Sequence, residues 1–467
     1  MKMWSGRFRQ PLDAAFENWQ RSFPFDRRLL TEELDASRAY ALALRQAGVL
    51  SGEELASTLR GLERIGEQAA DDLVFLDDDQ AEDVHHFVEK QLVAMIGDTG
   101  YKLHSGRSRN EQIATDLRLY VRASVDQARS QLAGLVEAIL ERASQAGVSA
   151  MPSYTHLQKA EPVLVAHWLL AYAEMFVRDA ERLADCRKRV NLCPLGSGAV
   201  AGTTLPLDRQ LMATELGFDG VTANSMDATS DRDFAIEFVQ GLSLLGAHLS
   251  RWAEEMILFS TTEFGFVVLP EAYSTGSSAM PQKKNPDLLE LVRGKAGRIL
   301  GCSTALLTMV KGLPLAYNKD MQETQEPLFE ARDAALSMLP LVTGFIKSVE
   351  FDYARMSAAT QTGFMNAFAA ATYLVNRGVP FRLAHEITGK AVRLALDRGC
   401  ELGDLPLSEL QAIHSAFAQD FFSHLSVESV LAIHDVPGGT SPKRVNQAIE
   451  QVQQKISELS GRVHAHT

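Results

Sequence analysis

The chain has 467 residues, 46% of them hydrophobic, with a mean hydropathy of -0.08. That is ample material for a buried core and too much for one ordinary core, so two or three domains are expected. With 46 Lys and Arg against 59 Asp and Glu the net charge is -13, which argues against nucleic acid or an anionic membrane as partner. Cys186, Cys193, Cys302 and Cys400 are scattered without Cys-x-x-Cys spacing, so reduced thiols are expected rather than a disulfide framework or a zinc site. The N-terminal Met1–Phe8 has no apolar leader and no apolar run reaches spanning length, which reads as a cytoplasmic protein.

In chain order, residues 1–107 hold shorter helical patterns and an acidic stretch, Asp77-Asp78-Asp79. Glu82-Asp83-Val84-His85-His86 invites a metal reading. Adjacent histidines face different sides of a helix, however, and no third ligand stands at metal spacing, so no metal is expected there. His104-Ser105-Gly106-Arg107-Ser108-Arg109-Asn110 leads into the longest pattern. Its arginines and amide are either plain capping and a solvated face or a carboxylate-binding group, since a guanidinium binds carboxylates bidentately. Ser108 followed by Glu111 is a capping box. From there apolar residues recur in steps of three and four to Gly147, a helix of about forty residues and about 60 Å.

The segment Ser153–Pro162 carries His156 between Thr155 and Gln158, just before a second long helix expected over 162–190. A lone histidine is commonly structural; at a helix entrance it is also well placed for acid–base work. Gly196–Gly202 has the wrong spacing for a dinucleotide loop and follows a helix, so it reads as a tight interhelical turn. A third helix is expected over 231–263. Gly276–Asp287, with paired serines, paired lysines and Asn285-Pro286, reads as a polar loop feeding a helix N-terminus capped at Asn285, where an anion is favoured. A fourth helix is expected over 286–311 and a fifth over 320–349, kinked or interrupted at Pro327 and Pro340. Beyond residue 357 the helices shorten. Strand-like alternation is nearly absent, so the expectation is an all-α subunit of three domains, 1–107, 108–357 and 358–467. The middle one would be a bundle of five long helices whose apolar seams continue into partner subunits.

Three separated segments, His104–Glu111, Ser153–Pro162 and Gly276–Asp287, resemble the active-site regions of the lyases that release fumarate by β-elimination. Within that superfamily, Pro281-Gln282-Lys283-Lys284-Asn285-Pro286-Asp287 resembles the argininosuccinate lyases and the related δ-crystallins, as do Ser225–Ser230 and Tyr317-Asn318-Lys319-Asp320. The resemblance covers nearly the whole chain. It implies a homotetramer with a twenty-helix core, active sites each shared by three subunits, and cleavage of argininosuccinate to arginine and fumarate without cofactor or metal.

Position by position, it implies that Ser277 removes the Cβ proton and that Lys283 and Asn285 stabilise the resulting aci-carboxylate. His156, oriented by Glu290, would transfer a proton on the other side. Ser22, Asn110, Thr155, Tyr317 and Gln322 match substrate contacts, and Arg109 and Arg232 match nearby arginines. Two positions depart from the pattern. Gln325 stands where a lysine is expected to help bind the substrate's carboxylate end, and Arg38 stands where a lysine is common. Gln325 keeps open a sister lyase acting on another N-substituted aspartate. An inactive crystallin-like homologue is the other alternative, and the joint presence of Ser277, His156, Lys283 and Glu290 argues against it.

Overall fold

The computed structural model describes residues 10–464; Met1–Phe8, read above for a leader, lies outside them. After two short helical segments, Ala14–Trp19 and Phe23–Asp26, come the helices α1 (Leu30–Gln46), α2 (Gly52–Asp71) and α3 (Val84–Ile96). Five long ones follow: α4 (Arg109–Ala146), α5 (Val165–Val190), α6 (Asp233–Ser260), α7 (Asp287–Val310) and α8 (Gln325–Ser348). The apolar stripes foreseen for α4, α5 and α6 are buried against one another, with Leu117, Val121, Val125, Leu132 and Ile139 of α4 beside Phe238, Leu242, Leu249 and Trp252 of α6. The protein is all-α, and the bundle of five long helices is present.

Ser108 caps α4 as its sequence requires. Its hydroxyl accepts from Asn110 N at 3.2 Å and its own N–H donates to Glu111 Oε1 at 3.0 Å. The other oxygen of Glu111 accepts from Gly196 N at 2.6 Å and Gly198 N at 3.0 Å. The glycine-rich turn is therefore folded around a buried carboxylate. Gly198 at φ +61 lies within 2.9 Å, measured from where a Cβ would stand, of the Gly202 carbonyl, so only glycine fits.

Several boundaries differ from expectation. Residues 162–164 are not the start of α5 but the end of a strand, β2 (Gln158–Leu164), paired antiparallel with β1 (Ala150–Thr155). Backbone pairing across this hairpin, with Pro152 opposite Pro162, outweighs the helix signal of Pro162. Asn285 is not an N-cap. It belongs to a two-residue strand β4 (Lys284–Asn285) paired with β3 (Thr275–Gly276), and its amide donates to Gly276 O at 3.3 Å. Pro286 takes the cap position without any side-chain cap. Residues Lys319–Thr324 form a 3-10 turn, and α8 runs unbroken in assignment to Ser348 with Pro340 inside it. Pro327 lies in its first turn, where an N–H has no intrahelical acceptor to lose.

Residues 370–425 build a second, smaller core from Tyr373, Leu374, Ile387, Leu402, Leu410, Phe417 and Phe421, carried in part by α9 (Ala367–Asn376) and α10 (Phe381–Arg398). The last helix, α11 (Pro442–His464), returns to the main core through Val445, Val452 and Ile456. No helix among the described residues is long and apolar enough to cross a membrane.

Candidate active site

Five of the residues singled out in the sequence meet at one place. Ser22, Arg109, Asn110, Tyr317 and Gln322 line a cavity of about 110 Å³ together with Asp26, Glu82, Asp83, His85, Ile113, Lys319 and Gln325. They come from the entry to α1, the first turn of α4 and the turn before α8, so the cavity exists only once these ends are packed. Gln322 donates to Gln20 O at 3.1 Å, and Asn110 donates to Ala199 O at 3.3 Å, which ties the cavity wall to the glycine-rich turn.

The electrostatics of this cavity are set by burial and by close charges. Asp26 is 1% exposed and accepts from Val84 N at 3.0 Å; burial, with Asp83 nearby, pushes its carboxyl up to about 7. Burial lowers the affinity of Arg109 for its proton, but Asp83 and Glu82 outweigh that and hold the guanidinium above its usual value, at 3.2 and 3.1 Å. Beside Tyr317 stands Arg232, 2% exposed, with Nη1 on the Asp231 carbonyl at 2.8 Å. Its Nε and Nη2 have no hydrogen-bond partner among the described residues. Gln325 is buried as well, and its carbonyl Oε1 is unpartnered.

The other predicted residues stand elsewhere. Thr155 and His156 sit at the tip of the β1–β2 hairpin, where His156 and Leu157 have φ +55 and +58. A two-residue turn with both φ positive suits the strand twist of a tight hairpin, so the backbone at His156 is specialised and its side chain is exposed. Ser277, Lys283 and Asn285 lie in a loop closed at its base by the β3–β4 pairing. Ser277 Oγ accepts from Ala279 N at 3.3 Å and Met280 N at 3.1 Å, and Lys283 and Glu290 are exposed. Among the described residues no hydrogen bond or ion pair joins His156 to Glu290. The predicted residues thus fall at three places in the described chain: around the cavity, at the hairpin tip, and in the 275–285 loop with the turn of α7 that follows it.

The sequence reading overlooked Asp26, four residues after Ser22 on the same turn, and set Glu82-Asp83-His85 aside with the metal question. The signal was the acid spacing around a single cavity wall, which only the packing of α1 against α3 and α4 assembles. Glu33, His85 and Asp116 are the group among the described residues whose donor atoms could meet at an ion. Their chemistry is already occupied. Glu33 receives Ser37 at 2.7 Å, His85 at 2.8 Å and Gln112 at 3.2 Å, with Arg107 at 3.6 Å. Burial alone would raise the Glu33 carboxyl, yet Arg107 and His85 bring it down to about 2. Burial and Glu33 push Asp116 up, so the cluster's charge is offset by its own neighbours Arg107 and His85.

Comparison with known proteins fits this layout. A lyase family model matches residues 6–301 and an argininosuccinate lyase C-terminal model matches residues 364–432. The argininosuccinate lyase of Koribacter versatilis is 59% identical over 456 residues, 98% of each chain. The chain belongs to the argininosuccinate lyase family. That of Acidobacterium capsulatum is 57% identical over 98% of this chain and 96% of its own. Among solved structures, EDDS lyase in complex with formate is 26% identical with a TM-score of 0.84, covering 98% of this chain and 93% of that one. A class II fumarase from Schistosoma mansoni, 14% identical with a TM-score of 0.72 over 85% and 89% of the chains, shares the fold.

Proposed function

We propose that this protein cleaves argininosuccinate by β-elimination into arginine and fumarate. The observation that carries this reading is the cavity of Ser22, Arg109, Asn110, Tyr317 and Gln322, where acids, an amide and cations stand together around a space sized for an amino-acid head group. In this reading the cavity takes the arginine end. The unpartnered guanidinium edge of Arg232 offers a buried anion partner beside Tyr317.

The bond changes need only side chains. Ser277 removes a proton from the succinyl Cβ, and its alkoxide is favoured by the two N–H groups on its oxygen and by Lys283. Lys283 and Asn285 hold the doubly charged carboxylate that follows, an interaction strongest as charge develops. The C–N bond then breaks and His156, oriented by Glu290, gives a proton to the departing guanidino nitrogen while Thr155 contacts the substrate.

Thr155 and His156 on one tip and Ser277, Lys283, Asn285 and Glu290 on another do not line the cavity of their own chain. A homotetramer sharing each site between subunits supplies the missing neighbours. Leu291, Leu300 and Leu307 of α7 are more than half exposed, and Gly294, Gly297 and Gly301 have open space above them. A partner helix approaching this apolar, small-residue face would bury it. The domain division at 107 and 357 and a cytoplasmic setting complete the proposal.

The test is fumarate release from argininosuccinate, adenylosuccinate, aspartate and malate in parallel. Release from argininosuccinate alone is expected; preference for another substrate would favour the sister-lyase reading that Gln325 keeps open. Mixed tetramers reassembled from His156→Asn and Ser277→Ala chains should regain partial activity, and verified mixed tetramers as inactive as either parent would rule out shared sites.

A further inference from the structure

The tip of the hairpin that carries His156 is exposed, yet a side chain close to it is tied down. Lys159, paired with Tyr154 across the strands, sends its ammonium to Ala359 O at 2.7 Å, Thr362 Oγ1 at 3.0 Å and Thr362 O at 3.4 Å. An exposed lysine with all three protons directed at fixed oxygens is unusual. Such a side chain ordinarily keeps its rotamer freedom and its hydration. The receiving turn is itself anchored in the smaller core, because Gly363 N and Phe364 N donate to Glu401 at 2.9 and 3.1 Å and Phe364 packs there. Gly363 has φ +91, and a Cβ on it would touch Lys159 Cδ at 3.4 Å.

Two other fastenings of the hairpin, at Ser153–Glu161 and Leu164, lie further from its tip, and a third, the uncharged ring packing of Tyr154, lies at the level of Lys159. Ser153 Oγ and the Glu161 backbone exchange bonds at 2.7 and 3.2 Å. Tyr154 meets the rings of Phe259 and Phe264, and Leu164 N donates to Thr440 Oγ1 at 2.9 Å. Lys159 is the charged tether nearest the two-residue turn. A rotation of the hairpin about its base is amplified at His156, and Lys159 is placed to resist it.

We propose that Lys159 is a positioning residue. It fixes the aim of the His156 tip by binding it to the 359–364 turn, so that the smaller C-terminal core takes part in the alignment of the proton-transfer group. This rests on the reading of His156 given above. The tether contacts no reacting atom, and its effect is on geometry alone, where a displacement of about 1 Å can cost about a hundredfold in rate.

The test compares Lys159→Met, Lys159→Arg, Thr362→Val and His156→Asn in the assembled full-length enzyme, reading kcat, KM, thermal midpoint and oligomeric state. Lys159→Met should lower kcat by about ten- to a hundredfold with KM within about threefold and an unchanged thermal midpoint. Lys159→Arg, which keeps charge and reach, should restore most of the rate. Thr362→Val, removing one acceptor without touching the hairpin, should cause a smaller fall in the same direction and serves if Lys159→Met does not fold. In the His156→Asn background, with residual turnover measured at high enzyme concentration, Lys159→Met should add nothing, because the two act on one step. A kcat within twofold of wild type for Lys159→Met, a parallel loss of stability and rate, or additive effects would each overturn the tether. Full activity in His156→Asn would instead overturn the assignment of His156 itself.

Discussion

The cavity beneath the first turn of α4 and the two exposed tips, Thr155-His156 and Ser277–Asn285, solve different problems. In the cavity, Asp26 and Arg232 are deeply buried and Arg109 partly so; burial raises the Asp26 carboxyl and lowers the Arg232 guanidinium, while Asp83 and Glu82 hold Arg109 above its usual value before any ligand arrives. Electrostatic work has been done in folding, so recognition there is preorganised. At the tips Thr155, His156 and Lys283 are exposed and Ser277 and Asn285 half-buried, held by short backbone devices, a two-residue turn in one and a two-residue ladder in the other. Their charge stabilisation must come from what covers them. On the proposed function, changes in the cavity are expected to act on binding and changes at the tips on rate.

The widest gap between the regions should appear on removing tip residues. Ser277→Ala and Lys283→Met should each lower kcat by about 10²- to 10⁴-fold with KM little changed. A variant that mainly weakens binding would place these residues with the cavity and erase the distinction. Steady-state kinetics on argininosuccinate decides it.

Cavity changes should move affinity instead. Gln325→Lys puts a cation beside an unpartnered, buried position. It should tighten argininosuccinate binding by about 1.5–3 kcal/mol, the worth of a well-formed charged hydrogen bond, while turnover stays similar. No tightening would mean that Arg109 or Lys319 already serves the carboxylate, and titration calorimetry distinguishes the outcomes.

A smaller effect is expected from pH. Asp26 ionises at about 7 in the empty cavity, so a cationic head group that favours its carboxylate expels a proton on binding. Arginine affinity should fall by about tenfold from pH 8 to pH 6 and flatten above about 8, and Asp26→Asn should lose that slope. The sign for folding is opposite. A carboxyl whose native pKa is raised stabilises the fold most below its ordinary value of 3.8, and that contribution is lost as pH rises towards 7. Binding and unfolding measured across this range should slope in opposite directions.

Much of this was readable in the chain. The period of α4, the Ser108–Glu111 capping box and the apolar stripes of α5 and α6 are local, short-range signals, and each was realised. The motif segments named the family because their residue types recur in fixed order. Hairpin pairing was not readable at 158–164, since Gln158-Lys159-Ala160-Glu161 carries no alternation and its strand exists through partners at 150–155. Asn285 was misread as a cap for the same reason: pairing with residue 275 competes with capping and depends on a loop of ten residues closing.

The sequence by itself determined the five long helices and the capping box at Ser108, because periodicity and capping chemistry are properties of short stretches. The tertiary structure decided which of the candidate site residues share a cavity and which stand apart. It also turned Asp26 from an unremarked acid into one poised near neutrality, set Arg107 and His85 to neutralising Glu33, and gave Lys159 an acceptor two hundred residues away. Each of these follows from burial or from contacts between distant segments, quantities that exist only when the chain is packed.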